Sequence, residues 1–144
     1  MFGKYESILV AVDGSKQAER AFEEAVAIAV ANQATLTIAW IINEEDLSNS
    51  AFSYSKILHE EKEMVEKEML KKIHDAKQAQ IEEVASVIEI GNPKEYLATL
   101  IPESQSIDLI VMGPTGKGMI RRALVGSTTS YVVNNASCSV LVVK

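Results

Sequence analysis

With one cysteine in 144 residues, the chain can form no disulfide framework. That fits a reducing compartment, and a cytoplasmic location is expected. Basic residues are scarce: 14 Lys and Arg stand against 20 Asp and Glu, for a formal net charge of -6. General nucleic-acid binding and docking to anionic membranes need a basic face, so neither is expected. Long apolar runs are absent too. Met1 to Ser7 is short and polar, unlike a signal peptide, and no stretch is long and apolar enough to span a bilayer. There is no internal repeat, low-complexity tract or linker, so one domain is expected over residues 1–144. The only histidines, His59 and His74, lie apart from any motif and read as surface residues.

The apolar residues, 47% of the chain, fall into short runs of strand length. Ile8 to Val12 is continuous and apolar, as suits a strand covered on both faces. It ends at Asp13-Gly14-Ser15, where Ser15 is a natural N-cap. The helix that follows carries Ala18, Ala21, Phe22, Ala25, Ile28 and Ala29 on one stripe and stops near Asn32. Thr35 to Ile42 reads as the second strand, Val84 to Ile90 as the third, Ile107 to Met112 as the fourth and Ser139 to Val143 as the fifth. A loop or lid is expected over 43–56. A long charged helix over about 55–80 follows, with Leu58, Val65, Met69, Ile73 and Ala76 inward and Glu63–Lys67 and Glu68–Lys72 paired on the wet face. Asn92, Pro93 and Glu95 make a helix start as N-cap, N1 and N3, and Pro102 should end or distort that helix. Strands alternating with helices predict a doubly wound parallel α/β sheet. Cys138 reads as a small buried hydrophobe. Trp40 suits either the core or the side of a ligand. Asp13 is either a turn residue or a carboxylate at the C-terminal end of a parallel strand, where ligands of open α/β sheets bind.

The chemistry concentrates after the fourth strand. Leu109 to Met112 runs into Gly113, Gly116 and Gly118. Lys117, Arg121 and Arg122 follow, and Gly126-Ser127-Thr128-Thr129 then opens an apolar segment. Glycines let backbone approach a ligand and turn N–H groups toward it. A helix N-terminus adds free N–H donors and about half a positive charge. Ser127, Thr128 and Thr129 can add hydroxyl donors. Strand, glycine loop and hydroxyl-rich helix start together make a phosphate cradle; a glycine-rich turn without a ligand is the plainer alternative. No Gly-Lys-Ser/Thr closes the loop, so it is not a Walker A motif, and G-x-G-x-x-G does not fit. Lys117, Arg121 and Arg122 read equally as solvated charges.

The spacing Gly113-x2-Gly116-x9-Gly126-Ser127 resembles the ATP-binding branch of the universal stress protein family. The likeness begins at Ile8 to Ser15, continues through Asn32 to Ile42 and ends at Val140 to Val143. It implies a three-layer α/β/α sandwich of the adenine nucleotide alpha hydrolase-like kind, with a five-stranded parallel sheet in the order 3-2-1-4-5. It implies that Val12 and Asp13 line a nucleotide, Asp13 meeting the ribose or a divalent ion (Mg2+ or Mn2+) carried with the phosphates. Ile41 would meet adenine through its backbone, and Met112 and Gly113 would line the ribose and base. Gly116, Gly126, Ser127, Thr128 and Thr129 would cradle the phosphates. Asn43 stands where the family often has Asp, and Ser139 where proline is frequent. A homodimer through the C-terminal strand is implied as well, and that strand would otherwise expose an apolar edge.

Three functions compete. A nucleotide-binding regulatory protein with little or no catalysis accounts for most of the features. A slow ATP hydrolase or nucleotidyl transferase needs a positioned base and a cationic clamp, and the loop offers no histidine. Adenylating relatives carry His-x-Gly-His or Ser-Gly-Gly-x-Asp-Ser loops, absent from this sequence. An interaction module with an empty pocket is opposed by the intact glycines. AMP or a cyclic adenine nucleotide is the alternative ligand to ATP.

Overall fold

The computed structural model describes residues 4–46, 54–115 and 125–144. Strands β1 (Ser7–Ala11), β2 (Thr35–Asn43), β3 (Val84–Gly91), β4 (Leu109–Met112) and β5 (Ser139–Val142) form one sheet in the order β3-β2-β1-β4-β5. All four pairings are parallel, with Ile8 opposite Leu36 and Leu109, and Ile110 opposite Val140. Side chains alternate strictly between the two faces. Ile8, Val10, Leu36, Ile38, Trp40 and Val111 enter one core layer, beneath α1 (Lys16–Asn32) and α2 (Tyr54–Gln78). Leu9, Ala39, Ile41, Ile110 and Met112 enter the other. That second layer lies beneath α3 (Pro93–Glu95), a π-helical turn (Tyr96–Leu100), α4 (Ile101–Ser104) and α5 (Ser127–Asn135). The expected sandwich and strand order are both present.

Local chemistry sets the element ends. The Ser15 hydroxyl accepts from the Ala18 N–H at 3.1 Å, and α1 closes on Gln33 in the left-handed region at φ 52°. The Asn92 side chain accepts from the Lys94 N–H at 3.0 Å, with Pro93 in the first turn. Pro102 distorts the following helix without ending it. Lacking an N–H, it sits buried in α4, directly after the backbone has widened so that the Ile101 N–H reaches Tyr96 O. β4 begins at Leu109, later than its apolar run, because Ile107 N–H turns back to Pro102 O. The Asp108 carboxylate meanwhile accepts from the N–H groups of Glu6 and Ser7, tying the start of β4 to that of β1.

The charge pattern on α2 differs from expectation. Lys72 is on the buried stripe with Val65, Met69 and Ala76, not on the wet face. Its ammonium pairs with Glu19 of α1 and lies 5.0 Å from the centroid of the Phe22 ring. Glu68 therefore pairs with Lys71, at 3.4 Å, and Glu63 with exposed His59, at 3.2 Å. Cys138 is half-buried rather than buried. Burial pushes its thiol pKa up and the Asp108 charge adds to the effect.

Candidate functional site

The site begins where β1 stops. Val12 N–H still donates to Ala39 O at 2.9 Å, after which the chain turns away through Asp13-Gly14-Ser15. The turn closes on itself: Asp13 Oδ1 accepts from the Ser15 N–H at 2.9 Å, so Asp13 is a turn residue as well as a strand-end carboxylate. Gly14 holds φ +86°, and a Cβ there would come within 3.3 Å of the Trp40 ring. β2 continues past this point to Asn43. Backbone groups of alternate strand residues point the same way. Since Ala39 O faces β1, the N–H and C=O of Ile41 face the side that β1 has left. A pair of backbone groups, one donor and one acceptor, is thereby presented beyond the sheet.

β4 ends in the same region. Gly113 passes so close to α1 that a Cβ would lie 3.0 Å from Gln17 Cβ and 3.2 Å from the Gln17 carbonyl carbon, a contact tight enough that packing favours glycine there. The loop is then pinned to α5 twice. Gly126 N–H donates to Pro114 O at 2.7 Å, and the buried Thr129 hydroxyl donates to Gly113 O at 2.9 Å. The second bond revises one expectation: the Thr129 hydroxyl proton is committed to the loop and is not offered to a phosphate.

The start of α5 is unlike those of α1 and α3. Gly126 is its N-cap and supplies no side-chain bond. Ser130 N–H makes the first intrahelical bond, to Gly126 O. The N–H groups of Ser127, Thr128 and Thr129 have no intrahelical acceptor and no partner among the described residues. Ser127 is exposed and Thr128 half-buried. Gly126 has φ −64°, and among the described residues a Cβ would meet nothing nearer than Thr115 Cα at 3.4 Å. Among the described residues, packing therefore gives a reason for glycine at Gly113 and none at Gly126.

These features surround one cavity of about 580 Å³ at the C-terminal edge of the sheet. That is within the usual size of a small-molecule site. Of the residues singled out from the sequence, Val12, Asp13, Ile41, Met112, Gly113, Gly126, Ser127, Thr128 and Thr129 all line it. Gly116 lies outside the described residues, as do Lys117, Gly118, Arg121 and Arg122. Trp40 is a core residue, 3% exposed, and also forms part of the cavity wall. Sequence reasoning missed Ile57, Glu61, Pro93 and Leu97, which line the cavity from α2, α3 and the π turn. The signal was available for Glu61, which stands one helical turn before Val65 on the inward stripe. Asn43 also lines the cavity, while its side chain accepts from the Glu45 N–H at 3.1 Å. Among the described residues no cluster of three or more His, Cys, Asp or Glu could hold a metal by itself, and no helix is long and apolar enough to cross a membrane.

Comparison with known proteins agrees with this arrangement. A family model described as the universal stress protein family matches residues 4–144. A Staphylococcus haemolyticus protein named as a universal stress protein is 36% identical over 141 residues, covering 97% of this chain and 85% of its own. The structure of the universal stress protein UspA from Lactobacillus plantarum superposes with a TM-score of 0.88 at 34% identity, covering 99% of both chains. A universal stress protein in complex with cAMP superposes with a TM-score of 0.75 at 25% identity, covering 99% of both chains. The fold is adenine nucleotide alpha hydrolase-like, and with its sheet order and near-full-length match the chain belongs to the universal stress protein family.

Proposed function

We propose that the cavity binds ATP and that the protein is a nucleotide-dependent regulatory member of its family, with turnover slow or absent. The observation that carries this reading is the pairing of two backbone features across one cavity. On the β2 side, Ile41 presents a donor and an acceptor beside apolar Leu97, which suits the edge and face of adenine. On the β4 side, the N–H groups of Ser127, Thr128 and Thr129 converge at an uncapped helix start, which suits phosphates. Gly126 is free of a Cβ where a phosphate would approach. Asp13 stands between the two ends and would meet the ribose, or a Mg2+ or Mn2+ ion brought with the phosphates. Such an ion would lower the charge that the phosphates bring to the acidic site.

Among the described lining residues the carboxylates are Asp13 and Glu61, and His59 and His74 are exposed on α2. Without a histidine base, phosphate release should fall far below the ordinary enzyme median of roughly 10 per second. Rapid hydrolysis that vanishes in Asp13→Asn would make this an enzyme and Asp13 a catalytic residue. The related structure with cAMP makes a cyclic adenine nucleotide the second reading.

The chain has one tryptophan, Trp40, and it lines the cavity, so its fluorescence reports occupancy directly. Titration with ATP and magnesium should change that signal, and Gly126→Val should abolish the change while leaving the melting transition in place. ATP binding by Gly126→Val at wild-type affinity would remove the phosphates from α5 and overturn the reading. Parallel titrations with AMP and cAMP rank the alternatives.

A further inference from the structure

The cavity has a chemical polarity that its glycine loop does not explain. Its α3–α5 side is apolar at Leu97, Pro93 and Met112 and rich in N–H donors at the start of α5. Its α1–α2 side is apolar at Trp40 and Ile57 and also carries two carboxylates, Asp13 and Glu61. Glu61 is on the same stripe of α2 as Val65, which is fully buried, and one turn after Ile57, which packs on the core. That placement puts half-buried Glu61 in the cavity wall, and it has no hydrogen-bond or ion-pair partner among the described residues. An ionised carboxylate accepts and never donates. It repels a phosphate and receives a hydroxyl.

From this we infer that Glu61 is a specificity-determining residue that accepts a hydrogen bond from the sugar hydroxyls, making the site selective for ribonucleotides over their deoxy analogues. The inference rests on the nucleotide reading above and names which part of the ligand faces α2. With adenine at Ile41 and phosphates at α5, the donors left on the ligand are the vicinal hydroxyls, and Glu61 is a carboxylate among the described lining residues that can receive one. A site that hydrogen-bonds a hydroxyl rejects the analogue lacking it, because its acceptor then loses that partner inside the occupied site.

The test compares ATP, 2′-deoxy-ATP and 3′-deoxy-ATP, each with magnesium, by Trp40 fluorescence on the full chain. Wild type should prefer ATP over at least one deoxy analogue by roughly tenfold or more, the range of a hydrogen bond to a charged group. Glu61→Ala should bring that ratio to within about twofold, and Glu61→Gln, which keeps an acceptor oxygen, should retain part of it. The ratio is the decisive quantity, because removing a negative charge strengthens the binding of every polyphosphate alike and leaves the ratio unmoved. Both substitutions suit a helix, and unchanged melting confirms the fold. If ATP binds but the ratio is the same in Glu61→Ala as in wild type, Glu61 does not read the sugar, and the nucleotide reading stands without it. If wild type binds none of the three, both fall together.

Discussion

Lys72 shows how a charge is kept inside this protein. Its side chain is 6% exposed and that of its partner Glu19 is 50% exposed, so the two ends of the pair are not equivalent. Removing Glu19 leaves an ammonium buried with, among the described residues, the Phe22 ring beside it. Removing the ammonium leaves a carboxylate that water can still reach. Glu19→Ala is therefore expected to destabilise by about 1–3 kcal/mol, whereas Lys72→Met, which fills the same space without a charge, should be neutral or stabilising. Urea unfolding of the two variants measures the asymmetry, and equal losses would contradict it. A second contrast separates the hydroxyls at the head of α5. Thr129→Val keeps the shape but leaves Gly113 O unsatisfied in a buried place, so the ligand-free protein should lose about 1–3 kcal/mol. Ser127 is exposed, so Ser127→Ala should leave stability within about 0.5 kcal/mol and act on nucleotide affinity instead. Ser127 and Thr129, two residues apart in one Gly-Ser-Thr-Thr run, would then serve different ends. Sequence alone cannot divide them, because the division depends on which hydroxyl the Gly113 carbonyl turns to face.

Among the elements, strands and capped helices were legible because their signals are local. A run such as Ile8 to Val12 needs no distant information to be read as a two-sided strand. Ser15 and Asn92 cap their helices through N–H groups two or three residues away. What was not legible depends on contacts between elements. Lys72 reads as a solvent-side partner of Glu68 until α1 is laid beside α2 and brings Glu19 and Phe22 to it. Pro102 signals distortion, but not that the backbone absorbs it as a π turn and continues into α4. β5 joins the two kinds of information: its apolar run was plain, and its position at the sheet's edge follows from the strand order. One side of β5 pairs with β4, and the other has no strand beside it among the described residues. Val133 of α5, at 50% exposure, adds apolar surface on the neighbouring helix. A two-fold dimer that pairs β5 antiparallel with its copy would cover that edge. Light scattering at micromolar concentration should give twice the chain mass, and Val142→Lys should reduce it to the monomer mass. A wild-type monomer under those conditions would exclude the dimer.

The candidate site belongs to no single element: β1, β2 and β4 contribute their ends, α2 and α3 its walls, and α5 its N–H groups. Nine of its residues were nameable in advance because a parallel sheet gathers strand ends at one edge, so motifs far apart in sequence become neighbours once the strand order is known. Leu97 and Glu61 were missed because helix faces, not strand ends, bring them there. Binding across so many elements should stabilise the fold as a unit. At a hundredfold excess of ATP over its dissociation constant, linkage contributes about 2.7 kcal/mol. For a chain of this size that corresponds to a rise in melting temperature of roughly 5–11 °C. The net charge of -6 gives the effect a salt dependence. Long-range repulsion between an acidic protein and a polyanion is screened as ionic strength rises, so moderate salt should not erode the ATP-induced shift as steeply as it erodes binding that depends on a basic surface. Chelating magnesium should act the other way, since the nucleotide then brings its full charge to a cavity that already holds Asp13 and Glu61. Differential scanning calorimetry with ATP, at low and at about 0.2 M salt, with and without chelator, checks both signs. A shift that collapses with salt but ignores the chelator would mean that ATP is held by a cationic surface patch outside the cavity.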